Sequence, residues 1–145
     1  MRRFLYDSGV FLYALGGEHR YRDPCREILE RAGRGELRGE ASADLVQEVA
    51  HHRLRRTGDR ALAAADALDA ATLCRLHAVE RHDVLHGMEL LAKSRGLGAR
   101  DAVIAAVALN RDIDAILSPD LDFDEVSGLE RIDPADTAAV AALSG

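Results

Sequence analysis

Acidic residues follow or flank several apolar segments of the sequence, and four of them are candidates for chemistry: Asp7, Glu48, Asp101 and Asp120. Asp7 and Asp120 each come just after a short apolar segment of the kind that forms a buried strand. In an open parallel sheet, ligands bind in the crevice outside the carboxyl ends of the strands. We therefore expect these two carboxylates to lie together at one edge of the sheet.

The other two candidate acids lie on predicted helices. Asp101 precedes the apolar run 102–109, so the helix that begins there should be buried nearly all round. Glu48 flanks the apolar stripe of another helix, and the four acids could converge on one crevice. Close carboxylates repel one another unless a cation neutralises them, and Mg²⁺ or Mn²⁺ is the hard cation that suits oxygen ligands. An ion held in this way can activate water for attack on a phosphodiester, which predicts a metal-dependent site of that kind.

Each acid, taken singly, also fits an ordinary structural role. Asp7 and Asp120 could be Asx-turn residues, Asp101 could cap a helix and complement its dipole, and Glu48 could be a solvated helical charge. The hypothesis of a carboxylate site therefore depends on the four acids occurring together.

The elements that must position these acids alternate between strands and helices. Strands are predicted over 3–6, near Leu37, and over 73–79, 115–117 and 129–132. Helices are predicted directly after Asp7, from Asp23-Pro24 to Gly33, after a Ser42 cap, over 61–71, from an Asp83 cap to Gly96, from Arg100, and from Pro134. This alternation predicts parallel pairing and an α/β sandwich.

Length and composition limit the classes of protein to consider. A chain of 145 residues has the size of one domain, and its net charge of −6 argues against a broadly basic nucleic-acid-binding surface. No apolar run approaches the roughly 18 residues of a membrane-spanning helix, and no signal-peptide core is present. Cys25 and Cys74 form no CxxC pair, so we expect reduced thiols and a cytoplasmic protein without a membrane partner.

A basic run, 51–56, follows Glu48 on the same predicted helix. Such a run is usually a solvated face near a helix C-terminus. The alternative is contact with substrate phosphates, for which His52 and Arg55 are best placed because His52 lies one helical turn after Glu48.

Four segments of the chain together resemble the successive motifs of PIN-domain proteins: Phe4–Phe11, Asp44–Val49, Leu97–Ala106 and Ala115–Asp124. Within that family the sequence is similar to the VapC-like toxins of bacterial and archaeal toxin–antitoxin systems, in order and over essentially the whole chain. The resemblance implies a single PIN-like domain over residues 1–145, built as an α/β/α sandwich with a central parallel sheet. It also implies a Mg²⁺- or Mn²⁺-dependent endoribonuclease that acts on RNA, with an antitoxin protein as partner and frequent homodimers.

The resemblance assigns the metal-binding and catalytic positions to the four acids Asp7, Glu48, Asp101 and Asp120. Candidate substrate-binding residues are Ser8, His52, Arg55 and Arg100, and either Asp122 or Asp124 could share or replace the role of Asp120. The family usually carries a hydroxyl residue where this chain has Gly9, and many relatives have histidine where Ile104 stands.

Three other functions are alternatives to a toxin ribonuclease. A non-catalytic PIN-like module that binds RNA or protein is disfavoured because a phosphate-binding surface would gain by losing the acids. A DNA structure-specific nuclease is disfavoured because so short a chain leaves little room for DNA-gripping insertions. A housekeeping RNA-processing enzyme would use the same four acids and stays open at this point.

Overall fold

The centre of the molecule is a sheet of five strands, each parallel to its neighbours. The computed structural model describes residues 1–145. In order across the sheet the strands are β3 (Cys74–His77), β2 (Gly39–Ser42), β1 (Leu5–Tyr6), β4 (Ala115–Leu117) and β5 (Glu130–Ile132). The predicted parallel pairing is therefore confirmed.

Helices connect the strands and cover both faces of the sheet. They are α1 (Ser8–Leu15), α2 (Arg22–Gly33), α3 (Asp44–Thr57), α4 (Arg60–Thr72), α5 (Arg81–Lys93), α6 (Ala99–Leu109) and α7 (Thr137–Ala142), with a 3₁₀ helix at Leu121–Glu125. None of the helices combines the length and the apolar character needed to cross a membrane.

Alternate residues of the central strands point into two separate cores. Tyr6 and Leu117 belong to a core shared with helices α1 to α4 and α7, whereas Leu5 and Ile116 belong to a core shared with α6 and the 3₁₀ helix. This alternation follows from the two-residue period of a strand. It completes the predicted α/β/α sandwich.

The order of the strands fixes where a crevice must open. The chain leaves β1 towards β2 on one side and returns to β4 on the other side of β1. Connections that depart in opposite directions leave a gap outside the carboxyl ends of the two strands, and ligands of open α/β sheets bind at such a point.

Four predicted helix starts were wrong, those of α2, α3, α5 and α7, although the helices themselves were correctly predicted. α2 begins at Arg22 rather than after Asp23, because proline is tolerated within the first turn, where backbone N–H groups have no helical partner. Ser42 does not cap α3 but ends β2, where it pairs with His77. α7 begins at Thr137, capped by Asp136, rather than at Pro134.

The start of α5 was wrong for a different reason. Asp83 is the third residue of the helix, not its cap, and its Oδ2 accepts a hydrogen bond of 2.8 Å from the backbone N–H of Glu80. A carboxylate at that position reaches back to the residue before the helix, so the helix begins earlier than a simple cap predicts.

Candidate active site

A cavity of about 590 Å³ opens at the carboxyl ends of β1 and β4. All four acids singled out from the sequence line this cavity: Asp7, Glu48, Asp101 and Asp120. They come from four different elements, so the tertiary fold assembles the cluster. Its position is the point at which the strand order reverses, where α/β proteins bind their ligands.

Local structure accounts for the position of each acid. Asp7 directly follows β1 and precedes α1, and Asp120 precedes the 3₁₀ helix, where its Oδ1 accepts a 2.9 Å hydrogen bond from the backbone N–H of Asp122. Asp101 lies in the first turn of α6, whose apolar residues are buried on nearly all sides. Glu48 lies on α3 and is 15% exposed.

The hydroxyl of Ser118 joins two of the acids. It donates a buried hydrogen bond of 2.7 Å to Asp7 Oδ2, and it accepts one of 3.0 Å from the backbone N–H of Asp120. Sequence reasoning assigned no role to Ser118, although its place directly after β4 puts it at the same sheet edge as Asp7. Ser118 thus supplies a hydroxyl to Asp7 from the end of the neighbouring strand, whereas Gly9, two residues after Asp7, carries none.

Burial and mutual repulsion disfavour the charged forms of the two innermost acids. The pKa of Asp101 is raised to about 7, first by burial and then by the negative charges of Asp7, Asp120 and Glu48. The pKa of Asp7 is raised to about 6, chiefly by burial, although its hydrogen bond from Ser118 opposes the rise. The protein's own groups therefore provide too little positive charge to neutralise the four carboxylates.

Few cationic groups of the chain approach the acids. The guanidinium of Arg100 lies 3.8 Å from Glu48 Oε1, and His52 Nε2 lies 3.9 Å from the same oxygen. Ser8 is buried and lines the cavity, whereas Arg55 lines a neighbouring cavity with His52 and other basic residues. The structure thus brings three of the four predicted substrate-binding residues to the acids and leaves Arg55 further out.

Of the three acids after β4, only Asp120 lines the cavity. Asp124 forms an ion pair of 3.0 Å with Arg131. The carboxylate of Asp122 lies against Gly96, and the nearby charge of Asp120 raises its pKa. The geometry therefore favours Asp120 as the fourth acid of the cluster.

The donor set of the cavity fits a hard divalent cation, because four of the side chains that line it are carboxylates. The acids do not form a closed cage of three or more ligands around one point. Mg²⁺ does not require one, since it usually takes one or two carboxylates and completes its shell with water and substrate phosphates.

Three aromatic side chains line the same cavity: Tyr13, His19 and Tyr21. The rings of Tyr13 and His19 stack with their centroids 4.5 Å apart and their planes at 28°, and those of His19 and Tyr21 stack with their centroids 5.9 Å apart and their planes at 16°. Sequence reasoning did not identify this group, because it lies on the end of α1 and the loop after it, where no periodic pattern marks it.

A family model described as PIN domain matches residues 4–129 of the chain, which include all four acids. Ribonuclease VapC7 of Mycobacterium tuberculosis is 34% identical to the chain over 141 residues, covering 96% of both proteins. Two solved structures share the fold. The M. tuberculosis VapC20 toxin, described as cleaving the sarcin–ricin loop, has a TM-score of 0.68 and 20% identity over 83% of this chain and 92% of its own. A toxin–antitoxin complex from Klebsiella pneumoniae has a TM-score of 0.66 and 15% identity over 92% of this chain and 98% of its own. The chain, with its acids at the strand-order reversal of a parallel sheet, belongs to the PIN-domain family.

Proposed function

We propose that this protein is a metal-dependent endoribonuclease that hydrolyses RNA phosphodiester bonds. The observation that carries the proposal is the convergence of four carboxylates, from four elements, on one cavity at the carboxyl ends of β1 and β4. The ribonuclease VapC7, similar over nearly the full length of both chains, supports the same reaction.

Asp7, Glu48, Asp101 and Asp120 would hold the metal ion, and we propose Mg²⁺ or Mn²⁺ because both take oxygen ligands. The ion, when bound, supplies activation of water and stabilisation of charge on the phosphate. The chain's own groups prepare the site. Ser118 holds the carboxylate of Asp7 in place, and Arg100 offers a guanidinium to a substrate phosphate at the edge of the cluster.

RNA contacts are proposed around this centre. Ser8 lies within the cavity, Arg100 and His52 flank Glu48, and Arg55 extends the cationic surface along α3. This arrangement provides positive charge beside the acids in a chain whose net charge is −6. Substrate phosphates would therefore be drawn to one border of the cavity.

The protein is proposed to be the toxin of a toxin–antitoxin pair, with a cognate antitoxin as partner. The similarity to a chain of the K. pneumoniae toxin–antitoxin complex supports this role. An antitoxin that places a basic side chain in the acidic cavity would neutralise the cluster and block substrate. Co-expression with the neighbouring open reading frames should yield a copurifying inhibitor.

Three further features belong to the proposal. Residues 1–145 form one PIN-like domain, since β5 pairs with β4 and Leu143 of the C-terminal segment is buried in the core. The exposed apolar residues Leu85 and Met88 of α5 offer a surface for a homodimer. The free cysteines Cys25 and Cys74 suit the reducing cytoplasm.

Cleavage of RNA by the purified protein tests the proposed reaction. We expect cleavage with Mg²⁺ or Mn²⁺, none after exhaustive treatment with EDTA, and recovery when the metal is restored. A preparation of Asp101→Asn, purified in parallel, controls for contaminating nucleases. Cleavage that survives chelation, or that is equal in the variant, would refute the proposal.

A further inference from the structure

An aromatic wall borders the acidic cavity, and His19 is the one member of the wall that lies outside the hydrophobic core. Tyr21 is buried, but Tyr13 is only half-buried and His19 is exposed. Tyr13 and His19 also line a second cavity, of about 450 Å³, that adjoins the first. The two rings therefore stand between the carboxylates and the next depression of the surface.

The wall is held in a fixed orientation. The backbone N–H of Tyr21 donates a hydrogen bond of 3.1 Å to His19 Nδ1, which fixes the imidazole ring although it is exposed. The hydroxyl of Tyr21 in turn donates to Asp133 Oδ2 at 3.0 Å. Aromatic side chains fixed in this way lose little conformational entropy when a flat ligand stacks on them.

Two cations without carboxylate partners line the two cavities that the aromatic wall borders. The guanidinium of Arg20 lies 4.8 Å from the ring centre of Tyr21, and that of Arg56 approaches Gly17 in the second cavity. Arg53, by contrast, is paired at 2.8 Å with Asp66. Stacking surfaces combined with free cations that follow a backbone are the elements with which proteins hold single-stranded nucleic acid.

We propose that His19, supported by the Tyr13 ring stacked against it, forms a platform on which one unpaired RNA base stacks while its neighbouring phosphate lies at the acids. This inference rests on the proposed function and specifies the substrate. The base must be unstacked from its own strand to reach the platform, so single-stranded RNA binds and paired RNA does not. Arg20 and Arg56 contact the phosphates on either side of the stacked base.

Binding measured without cleavage tests the platform directly. The Asp101→Asn protein is mixed with a short single-stranded RNA that carries 2-aminopurine at successive positions, and with the same RNA in a duplex. We expect quenching of 2-aminopurine fluorescence at one position of the single strand and at no position of the duplex. On the same background, His19→Leu should weaken binding of the single strand about tenfold, and His19→Phe, which keeps a stacking ring but loses the Nδ1 acceptor, should weaken it less.

Variants at Tyr13 provide the second arm, with Tyr13→Phe expected to bind like the parent and Tyr13→Leu to bind about tenfold more weakly. His82→Leu, at an exposed histidine of α5, is the matched control and should change nothing. Equal binding by His19→Leu and His19→Phe, or equal quenching in single strand and duplex, would overturn the platform. The platform would also be overturned if the His19 and Tyr13 variants weakened inhibition by the antitoxin and left RNA binding unchanged, because the wall would then bind protein.

Cleavage assays separate failure of the platform from failure of the proposed reaction. With Asp101 intact, His19→Leu should raise KM about tenfold, through weaker stacking, and leave kcat nearly unchanged. Normal cleavage of single strand and duplex alike would keep the ribonuclease and reject the platform. Base-specific quenching by a protein that cleaves no RNA would keep the platform and reject the ribonuclease.

Discussion

At the scale of single residues, the carboxyl of Asp101 best distinguishes a cation site from an ordinary helix-capping role. It lies in the first turn of α6, yet burial and three neighbouring acids raise its pKa to about 7. A carboxylate that only complemented the helix dipole would be favoured in its charged form. Asp101 therefore carries a stability cost that a bound cation would relieve.

Substitution Asp101→Asn should separate metal binding from a structural role. The amide keeps the shape of the side chain but removes the charge, so we expect cleavage to fall by orders of magnitude. The melting temperature without metal should rise by about 3 °C at pH 7.5, because repulsion within the cluster is relieved. Cleavage and melting curves on one preparation, with exposed Asp69→Asn as the control for net charge, measure both effects. Full activity in a folded Asp101→Asn protein would rule out the carboxylate site.

The pH dependence of the free energy of unfolding should also show the repulsion within the carboxylate cluster. Asp7 and Asp101 have folded pKa values of about 6 and about 7, above their ordinary value of 3.8, so the native state binds more protons than the unfolded state between these limits. The free energy of unfolding without metal should therefore fall as pH rises from about 4 to about 7 and then level off. Glu40 and Asp83, with pKa values of about 2, lose their stabilising effect only at lower pH.

Urea unfolding at successive pH values, with and without Mg²⁺, measures this dependence. Because protons compete with the ion, Mg²⁺ should stabilise the protein more at pH 7.5 than at pH 5. The Asp101→Asn protein should show a shallower slope than the wild type. An equal slope in both proteins would assign the pH effect to other groups.

At the scale of elements, the contact between α5 and α6 sets the position of Asp101. Gly87 of α5 is buried, and a Cβ built there would lie only 2.9 Å from Val103 Cα of α6. Without a side chain at residue 87 the two helices can approach closely, which keeps α6 against the sheet and its first turn at the cavity.

Substitution Gly87→Ala should therefore destabilise the protein, even though alanine favours helices by about 1 kcal/mol. We expect a net loss of about 1 to 3 kcal/mol from overpacking, and reduced cleavage below the melting temperature because α6 moves with Asp101. Gly33→Ala, in a helical position with open space around it, is the matched control and should be neutral or slightly stabilising. Equal stability of the two variants would contradict this account of the contact.

Elements differed in how well the sequence predicted them. α6 was predicted because its long apolar run has only one physical solution, burial on all sides, and β1 and β4 because short apolar runs end in turn residues. Helix starts were predicted less well. Residues such as Asp23, Ser42 and Asp83 can cap a helix, lie within its first turn or precede it, and tertiary contacts decide which of these positions each residue takes. The aromatic wall carries no periodic signal, and only the fold brings Tyr13 and His19 to the acids.

At the scale of the whole molecule, a net charge of −6 limits how RNA can be held. The exposed cations near the cavity are few: Arg20, Arg55, Arg56 and Arg100. Other unpaired arginines, Arg38 and Arg75, line a cavity near the amino ends of β2 and β3, away from the acids. Electrostatic attraction should therefore be local to one border of the active site.

The dependence of RNA affinity on salt should be shallow for a nucleic-acid-binding protein. Each phosphate contact with a single strand contributes a slope of about −0.7 to the logarithm of affinity against the logarithm of salt, so four cations predict about −2 to −3. Fluorescence anisotropy with Asp101→Asn protein at constant Mg²⁺ measures the slope. Arg56→Gln should reduce it by about 0.7, and Arg75→Gln should leave it unchanged. A slope steeper than about −5 would require a second cationic surface.

The pairing of β1 with β4 also determines when the protein can become active during its synthesis. Asp7 and Ser118, which donates a hydrogen bond to it, are 111 positions apart in the chain. The ribosome makes β4 only after β1, β2 and β3. A nascent chain on the ribosome thus carries Asp7 and Glu48 long before it has the strand that completes their cavity. Because such distant pairing must await nearly the whole chain, the cavity cannot be complete while most of the polypeptide is still to be made.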